Sequence, residues 1–491
     1  MDWAAFGVDL HLELDASTGR RAGLERALRH AIRDGRLAPS TRLPATRALA
    51  AQLGLSRGTV SAAYDQLVAE GWLVARIGSG TEVSPLRRTA PAPAAPPPGP
   101  APPRYDLRPG SPDLGTFPVT AWLRATRRAL AAAPPAAYGY GDPRGRIELR
   151  TALAGYLGRA RGVLADPDRI VVTTGYVQAL VLLVSVLRDE GRPVLAMEDP
   201  GLAFHREVVR RQGGTVLPLP VDAHGARTDL LGTGALADVA AAVLTPAHQY
   251  PTGVTLAPER RRALIRWARD RDALVVEDDY DGEFRYDRQP VGAVQGTAPE
   301  QVAYVGTAAK TLGPALRLAW LVLPARLVEP VVAAKRHLDL HSETIGQLAL
   351  ADLIVTHGYD RQVRAVRRHY RRRRDLLLGR LDAAGGRYAM DGVAAGGRHV
   401  VGSVAAGGRY VVGGVAAGLH ALVELPPGGP TEAEVLAEAA RQGLALGSLD
   451  RLRHAPGGEP QGLVVGYATP PSHAYPAALD ALTRVLRTTT P

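Results

Sequence analysis

The chain has 491 residues, a net charge of +11 and an apolar fraction of 46%, enough to bury a substantial core and too much for a wholly disordered chain. It contains no cysteine, which excludes disulfide scaffolds, thiolate-bound zinc and thiol nucleophiles, and no uninterrupted apolar run of about 18 residues that would read as a membrane span. The start of the chain carries Asp2, Asp9, Glu13 and Asp15, the wrong charge for a secretion signal, so the expected location is the cytoplasm. Only Lys310 and Lys335 are lysines, which leaves two candidates for any chemistry that needs a side-chain amine.

Residues 18–37 read as a helix, with Leu24, Leu28, Ala31 and Ile32 at i, i+4, i+7 and i+8. A short second helix is expected over Thr46 to Leu53, and Gly54 makes the turn. Ser56 is a good N-cap for a third helix that carries Val60, Tyr64, Leu67 and Val68 inward, and Gly71 ends it. Two short apolar runs around Gly78-Ser79-Gly80 then signal a hairpin. This succession is the layout of a winged helix-turn-helix, whose third helix enters a major groove of double-stranded DNA with its first residues foremost. Those residues are Ser56, Arg57 and Thr59. Arg57 suits a guanine edge, while Arg42 and Arg47 are placed for phosphates. The run RLPATRALAAQLGLSRGTVSAAYDQLVAEGWL, followed by GSGTEV, resembles the DNA-binding domain of GntR-type bacterial transcription regulators. That resemblance implies that Gly80 sits where the wing nears the DNA backbone.

From 85 to 104 the sequence is PLRRTAPAPAAPPPGPAPPR, which fits neither helix nor sheet and is expected to be a stiff spacer able to span on the order of 60 Å. The expected division is therefore a DNA-binding domain at 1–84, a linker at 85–104 and a second domain at 105–491. Within the latter, a large subdomain is expected at about 105–340 and a small α+β one at about 341–491. Alanine pairs recur every eleven residues at 383–415 before AAGLHALVEL, and are expected to form a duplicated strand-and-turn insertion with no function of its own.

After the spacer, RIVVTTG, PVLAMED, VAAAVLTP, ALVVEDDY and VAYVGTAAK alternate with helical stretches such as Gln178 to Leu187 and Pro258 to Asp270. The alternation predicts an α/β domain with a mostly parallel sheet and a site at the carboxyl ends of its strands. Alternation along ALVVEDDYD puts Asp278 and Tyr280 on one face and Glu277 and Asp279 on the other. VAYVGTAAK ends at Lys310. TTGYVQAL turns from strand to helix at Gly175, a place for a phosphate, and Arg317 adds a charge suited to it. An amine for a Schiff base, an acid for a ring nitrogen and a phosphate cradle are the requirements of pyridoxal 5'-phosphate. The competing reading of EDDYD as a metal loop lacks an accompanying histidine or second acidic cluster, so no metal is expected.

FPVTAWLRATRRAL, YGYGDPRGRIELR, TPAHQYPTG, EDDYDGEFRY and GTAAKTLGPALRLAWLVLP are similar, in the same order, to motifs of the fold-type-I aminotransferases. Joined to a GntR-type domain, this half resembles the MocR-type regulators. The resemblance implies that Lys310 forms the Schiff base, Asp278 pairs with the ring nitrogen and Tyr280 contacts the ring oxygen. Gly175, Tyr176, Thr307 and Arg317 would hold the phosphate, with Tyr140 reaching in from a partner in a head-to-tail homodimer. Departures from the enzymes are Tyr250 before the PTG, Leu202 where a stacking aromatic is common, Ala309 before the lysine, and Val464 where an arginine holds the substrate carboxylate. An efficient enzyme is therefore not expected. The leading expectation is a DNA-binding regulator that senses pyridoxal 5'-phosphate or an amino compound through its aminotransferase-like domain. The alternatives are an active aminotransferase with an ancillary DNA-binding arm, and a DNA-binding dimer on a scaffold that has lost its cofactor.

Overall fold

The computed structural model describes residues 19–76, 80–85, 102–287, 291–385, 387–388 and 410–489. The acidic start, the turn residues Gly78 and Ser79, most of the proline-rich spacer and the middle of the eleven-residue repeats lie outside them. Contacts divide the chain into two units, Met1–Ala101 and Pro102–Pro491.

The first unit comprises α1 (Arg20–Arg33), α2 (Thr46–Leu53), α3 (Arg57–Ala69) and the antiparallel pair β1 (Leu73–Arg76) and β2 (Gly80–Val83). Helix α1 is shorter than the periodicity suggests. Gly35 turns at φ 75°, and the Leu37 amide bonds back to the Ala31 carbonyl, which folds Leu37 into the core instead of prolonging the helix. That core is Leu24, Leu28, Leu37, Leu49, Val60, Tyr64, Leu67 and their neighbours. The buried Tyr64 hydroxyl donates to the Pro44 carbonyl at 3.0 Å, fixing α3 against the entry of α2.

The second unit begins with β3 (Tyr105–Asp106), α4 (Val119–Ala132), α5 (Ile147–Arg161), β4 (Ile170–Thr173) and α6 (Tyr176–Asp189). It continues through β5 (Val194–Asp199), α7 (Ala203–Arg211), β6 (Thr215–Asp222), β7 (Gly225–Ala226), β8 (Ala241–Leu244), α8 (Pro258–Asp270) and β9 (Leu274–Asp279). Then come β10 (Val302–Thr307), β11 (Ala319–Val322), α9 (Ala325–Asp339), α10 (Thr344–Val355) and α11 (Gly358–Ala383). Strands β4 to β11 form one sheet in the order β4-β11-β10-β9-β8-β5-β6-β7; β11 and β7 run antiparallel to their neighbours and the remaining pairs are parallel. Every residue of β4, β8 and β9 is buried, as befits strands covered on both faces, and apolar cores fill the space on either side.

The chain ends in β12 (Arg387–Tyr388), β13 (Val411–Gly413), β14 (His420–Glu424), α12 (Glu432–Arg441), β15 (Leu444–Ala445), β16 (Gly447–Ser448), β17 (Gly462–Gly466) and α13 (Tyr475–Thr489). A second sheet has the order β12-β13-β14-β17-β16. Packing crosses the expected subdomain limit at 340/341. Leu350, Ile354 and Tyr359 pack into the core beneath the large sheet, whereas Leu107 joins the core of the small one and β3 pairs with β15. The apolar face of α10 decides this, because Leu350 and Leu353 find their partners on α5 and beneath the large sheet.

One buried ion pair sets the end of β9. Arg161, the last residue of α5, donates to both carboxylate oxygens of Asp279 at 2.7 and 3.0 Å, and the Tyr304 hydroxyl adds a bond of 2.7 Å. Both partners of the pair are almost wholly buried. Replacing Arg161 by leucine strands a buried carboxylate, and such losses cost roughly 3–5 kcal/mol. Urea unfolding of the Arg161→Leu protein is expected to show a loss of that size; an unchanged midpoint would mean that the pair does not hold β9.

Candidate functional site

In the first unit, Ser56 caps α3 by accepting the Thr59 amide at 3.0 Å, and its hydroxyl pairs with that of Thr59 at 2.8 Å. Ser56 and Thr59 thus spend hydrogen-bonding capacity on the cap. Arg57 and Arg47 stand exposed without a side-chain partner among the described residues. A Cβ on Gly80 would fall 3.3 Å from Arg42 Nε, so the Arg42 guanidinium lies along the first residue of β2, which has φ 95°. The fold therefore brings Arg42 beside Gly80.

In the second unit a cavity of about 290 Å³ opens at the carboxyl ends of β5, β8, β9 and β10. It is lined by Gly175, Tyr176, Asp278, Tyr280, Thr307, Lys310 and Arg317 together with Leu202, Tyr250 and Ala309. Tyr140 is not among the lining residues. It is 89% exposed on the surface, edge-on to His341.

Strand alternation explains the acids. Glu277 turns away and accepts the Val294 and Gln295 amides at 2.8 and 2.9 Å, and Asp279 is held by Arg161, so Asp278 and Tyr280 face the cavity. Burial, reinforced by neighbouring Asp279, raises Asp278 well above the usual carboxylate range. Burial also lowers Lys310, against the pull of Asp281 and Asp278; a lowered amine is more often neutral and nucleophilic. Its Nζ donates to the Gly110 carbonyl.

Gly175 N-caps α6 at φ 104°, and a Cβ there would lie 2.7 Å from an Arg317 nitrogen. Only glycine leaves room for that guanidinium over the helix start, where first-turn amides lack intrahelical partners. Arg317 has no side-chain hydrogen bond to a described residue. The combination is a cradle for a phosphate-sized anion.

Several lining residues escape a reading of the sequence. Glu198 is buried, accepts from Thr245 and Gln249, and is raised by burial to about 7. His205 of α7 stacks on Tyr176 with ring centres 4.5 Å apart, and burial lowers it to about 4, which keeps it neutral. The expectation that no histidine accompanies EDDYD fails. His248 Nδ1 meets Asp281 Oδ2 at 2.7 Å, the His420 ring lies 5.1 Å from that of His248, and donors of all three fall within 4.8 Å of one another. The Tyr280 hydroxyl reaches His248 at 3.3 Å. His248 stands in the quoted TPAHQYPTG, and His420 in the AAGLHALVEL that runs on from the repeats. The stretch that follows the repeats therefore feeds Leu419 and His420 into the cavity wall.

Val464 is fully buried among Leu422, Leu449 and Leu452, with Tyr250 against them. Arg206, the other arginine on the cavity wall, is committed to the carbonyls of Gly201, Leu452 and Arg453.

Residues 106–395 match the family described as aminotransferase class I and II, and residues 21–83 match the bacterial regulatory proteins of the gntR family. The chain is 33% identical over 363 residues to the HTH-type pyridoxine biosynthesis transcriptional regulator PdxR of Corynebacterium glutamicum, covering 72% of this chain and 77% of that protein. It is 34% identical over 390 residues to the probable rhizopine catabolism regulatory protein MocR of Rhizobium meliloti, covering 75% and 78%. Among solved structures, the α-aminoadipate aminotransferase LysN of Thermus thermophilus shares the fold, with a TM-score of 0.65 and 24% identity over 78% of this chain and 92% of that one.

The raised Glu198 has a consequence for stability. The folded chain keeps a proton that the unfolded chain releases from about pH 4.5, so stability falls as pH climbs from there to about 7. Glu198→Gln removes that fall. Thermal melts of the cofactor-free protein are expected to show the variant more stable at pH 8, by at most about 3 kcal/mol, and equal to wild type near pH 4.5. An offset independent of pH would rule out the buried proton.

Proposed function

Because the chain belongs to the MocR-type GntR transcription regulators, with a helix-turn-helix domain and an aminotransferase-like domain, we propose that its second unit binds pyridoxal 5'-phosphate through a Schiff base on Lys310. That unit then serves as the effector-sensing and dimerisation part of the regulator. The observation that carries this reading is the convergence of a burial-lowered amine, a cavity-facing acid and a glycine–arginine anion cradle on one cavity. Bound pyridoxal 5'-phosphate supplies an electrophilic carbonyl that captures primary amines and a ring that draws off electron density. Asp278 would face the ring nitrogen and Tyr280 the ring oxygen, while Gly175, Tyr176, Thr307 and Arg317 would hold the phosphate.

The charge distribution favours sensing over turnover. With Arg317 assigned to phosphate and Arg206 held by backbone carbonyls, the lining offers no further arginine among the described residues for an amino acid's carboxylate, and Val464 is sealed in an apolar cluster. A bidentate clamp on the substrate is what aligns it for reaction. The effector is accordingly the cofactor itself or an amine without an α-carboxylate.

Dimerisation is supported by Tyr138, Tyr140, Leu338, Leu340 and Ile345, all large apolar side chains left exposed, with the Tyr140–His341 contact drawing the two segments together. In a head-to-tail homodimer, Tyr140 would reach the partner's cavity. On DNA, Arg57 would read a base edge while Arg42, Arg47 and Gly80 meet the backbone.

Titration of the purified protein with pyridoxal 5'-phosphate is expected to give a saturable visible band, and borohydride reduction to trap the adduct on Lys310. Lys310→Ala abolishes the band; adducts on Lys335 alone would overturn the assignment. Arg57→Ala is expected to cost about 1–3 kcal/mol of operator discrimination in binding assays while the visible band stays unchanged. Loss of both together would overturn the division of labour between the units.

A further inference from the structure

Helix α11 carries nine arginines among its 26 residues, against three aspartates. They divide sharply by environment. Arg373 and Arg374 are buried; Arg373 is tied to Asp113 and to the Tyr467 and Pro470 carbonyls. Arg367 donates to the Glu283 carbonyl, and Arg380 pairs with Asp480.

The remaining five, Arg361, Arg364, Arg368, Arg371 and Arg372, are all exposed. At 3.6 residues per turn they fall within an arc of about 100°, opposite the buried Val363, Val366, Tyr370 and Leu377. They run for roughly 16 Å along the axis, about the rise of five base pairs of duplex. Arg364 and Arg368 have no carboxylate partner among the described residues, and Arg371 reaches Asp375 only at 3.9 Å. Arg361 donates to the Thr356 carbonyl, and Arg372 to that of Arg368. Arg361 also shares a groove with the exposed Arg124 and Arg128 of α4, of which Arg128 is paired with Asp352.

Like charges at i,i+3 and i,i+4 weaken a helix. This stripe contains four such pairs, 361/364, 364/368, 368/371 and 368/372, with little acidic relief. Its charge is complementary to a polyanion with closely spaced phosphates.

We propose that this arginine stripe of the aminotransferase-like unit is a second, sequence-independent contact surface for the phosphate backbone of double-stranded DNA. The proposal rests on the reading of the chain as a DNA-binding protein. The arginines provide positive charge along one face and no base-reading geometry, so their contribution is to affinity and its salt dependence, with operator choice left to α3.

The test uses the full-length protein and a labelled 60-bp duplex of mixed sequence, with anisotropy titrations between 50 and 200 mM salt. Each phosphate contact contributes about 0.9 to the slope of log K against log salt. The variant carrying Arg364→Gln and Arg368→Gln is expected to lower that slope by about 2 and to weaken binding at least several-fold. The variant with Arg364→Lys and Arg368→Lys keeps the charge and is expected to keep the slope; its thermal melt and that of the glutamine variant verify folding. Wild-type binding with an unchanged slope in the glutamine variant would overturn the proposal alone. So would an unchanged slope with a smaller species in sedimentation, which would assign the stripe to a contact between copies. Failure of the wild type to bind any duplex would instead overturn the DNA-binding reading beneath it.

Discussion

The cavity depends on how the last residues of β9 are turned. Four ionisable side chains follow one another at 277–280, and strand geometry lets only alternate ones face the same way. A slip of one residue would exchange the two sets, putting Glu277 and Asp279 into the cavity and burying Asp278 in the packing behind it. Arg161 prevents this. Its guanidinium takes both oxygens of Asp279 from the far side, while the Val294 and Gln295 amides take those of Glu277. With both carboxylates satisfied behind the sheet, Asp278 and Tyr280 are directed at the cavity without needing a partner there.

This arrangement concentrates acids whose negative form is disfavoured. Asp278 and Glu198 are both pushed up by burial; of the cations lining the cavity among the described residues, Arg206 is tied to three carbonyls and Lys310 to that of Gly110, while Arg317 makes no side-chain hydrogen bond to a described residue. An acid raised by burial in a low-dielectric pocket ionises more readily when a positive charge arrives beside it, and burial that lowers an amine favours its nucleophilic form. His205 and His420 extend the lining with imidazoles that burial pushes toward the neutral form, and the His248–Asp281 pair lies behind His420.

Local signals carried much of this architecture. The 3.6-residue period, the Ser56 cap and the glycine stops mark α2 and α3, and α8 begins at Pro258 as its proline suggests. Buried strands declare themselves as apolar runs, and alternation at 277–280 already separates the two pairs of acids. What stayed hidden depends on long separations in the chain. Nothing near Arg161 announces that a terminal helix arginine will meet Asp279, 118 residues on. His248 and Asp281 lie 33 residues apart, and His420 arrives from the small sheet, behind repeats that look like filler. The crossing of α10 into the large core was equally hidden, since an amphipathic face does not say which sheet will bury it.

The sensing proposed for this unit needs the cavity to be connected to the rest of it, because a ligand shifts an arrangement only through contacts that differ between states. Lys310 supplies one such contact. Its amine donates to the Gly110 carbonyl, and Gly110 lies on the strap that leads from β3, paired with β15, to Asp113, which is held by His369 and Arg373 of α11. A group bonded to the lysine nitrogen competes with that hydrogen bond. The strap meets the cavity through the Gly110 carbonyl and is tied to α11 and the small sheet by Asp113 and by the Leu107, Arg108 and Ser111 carbonyls, so a group on Lys310 would bear on the segment by which the chain enters this unit.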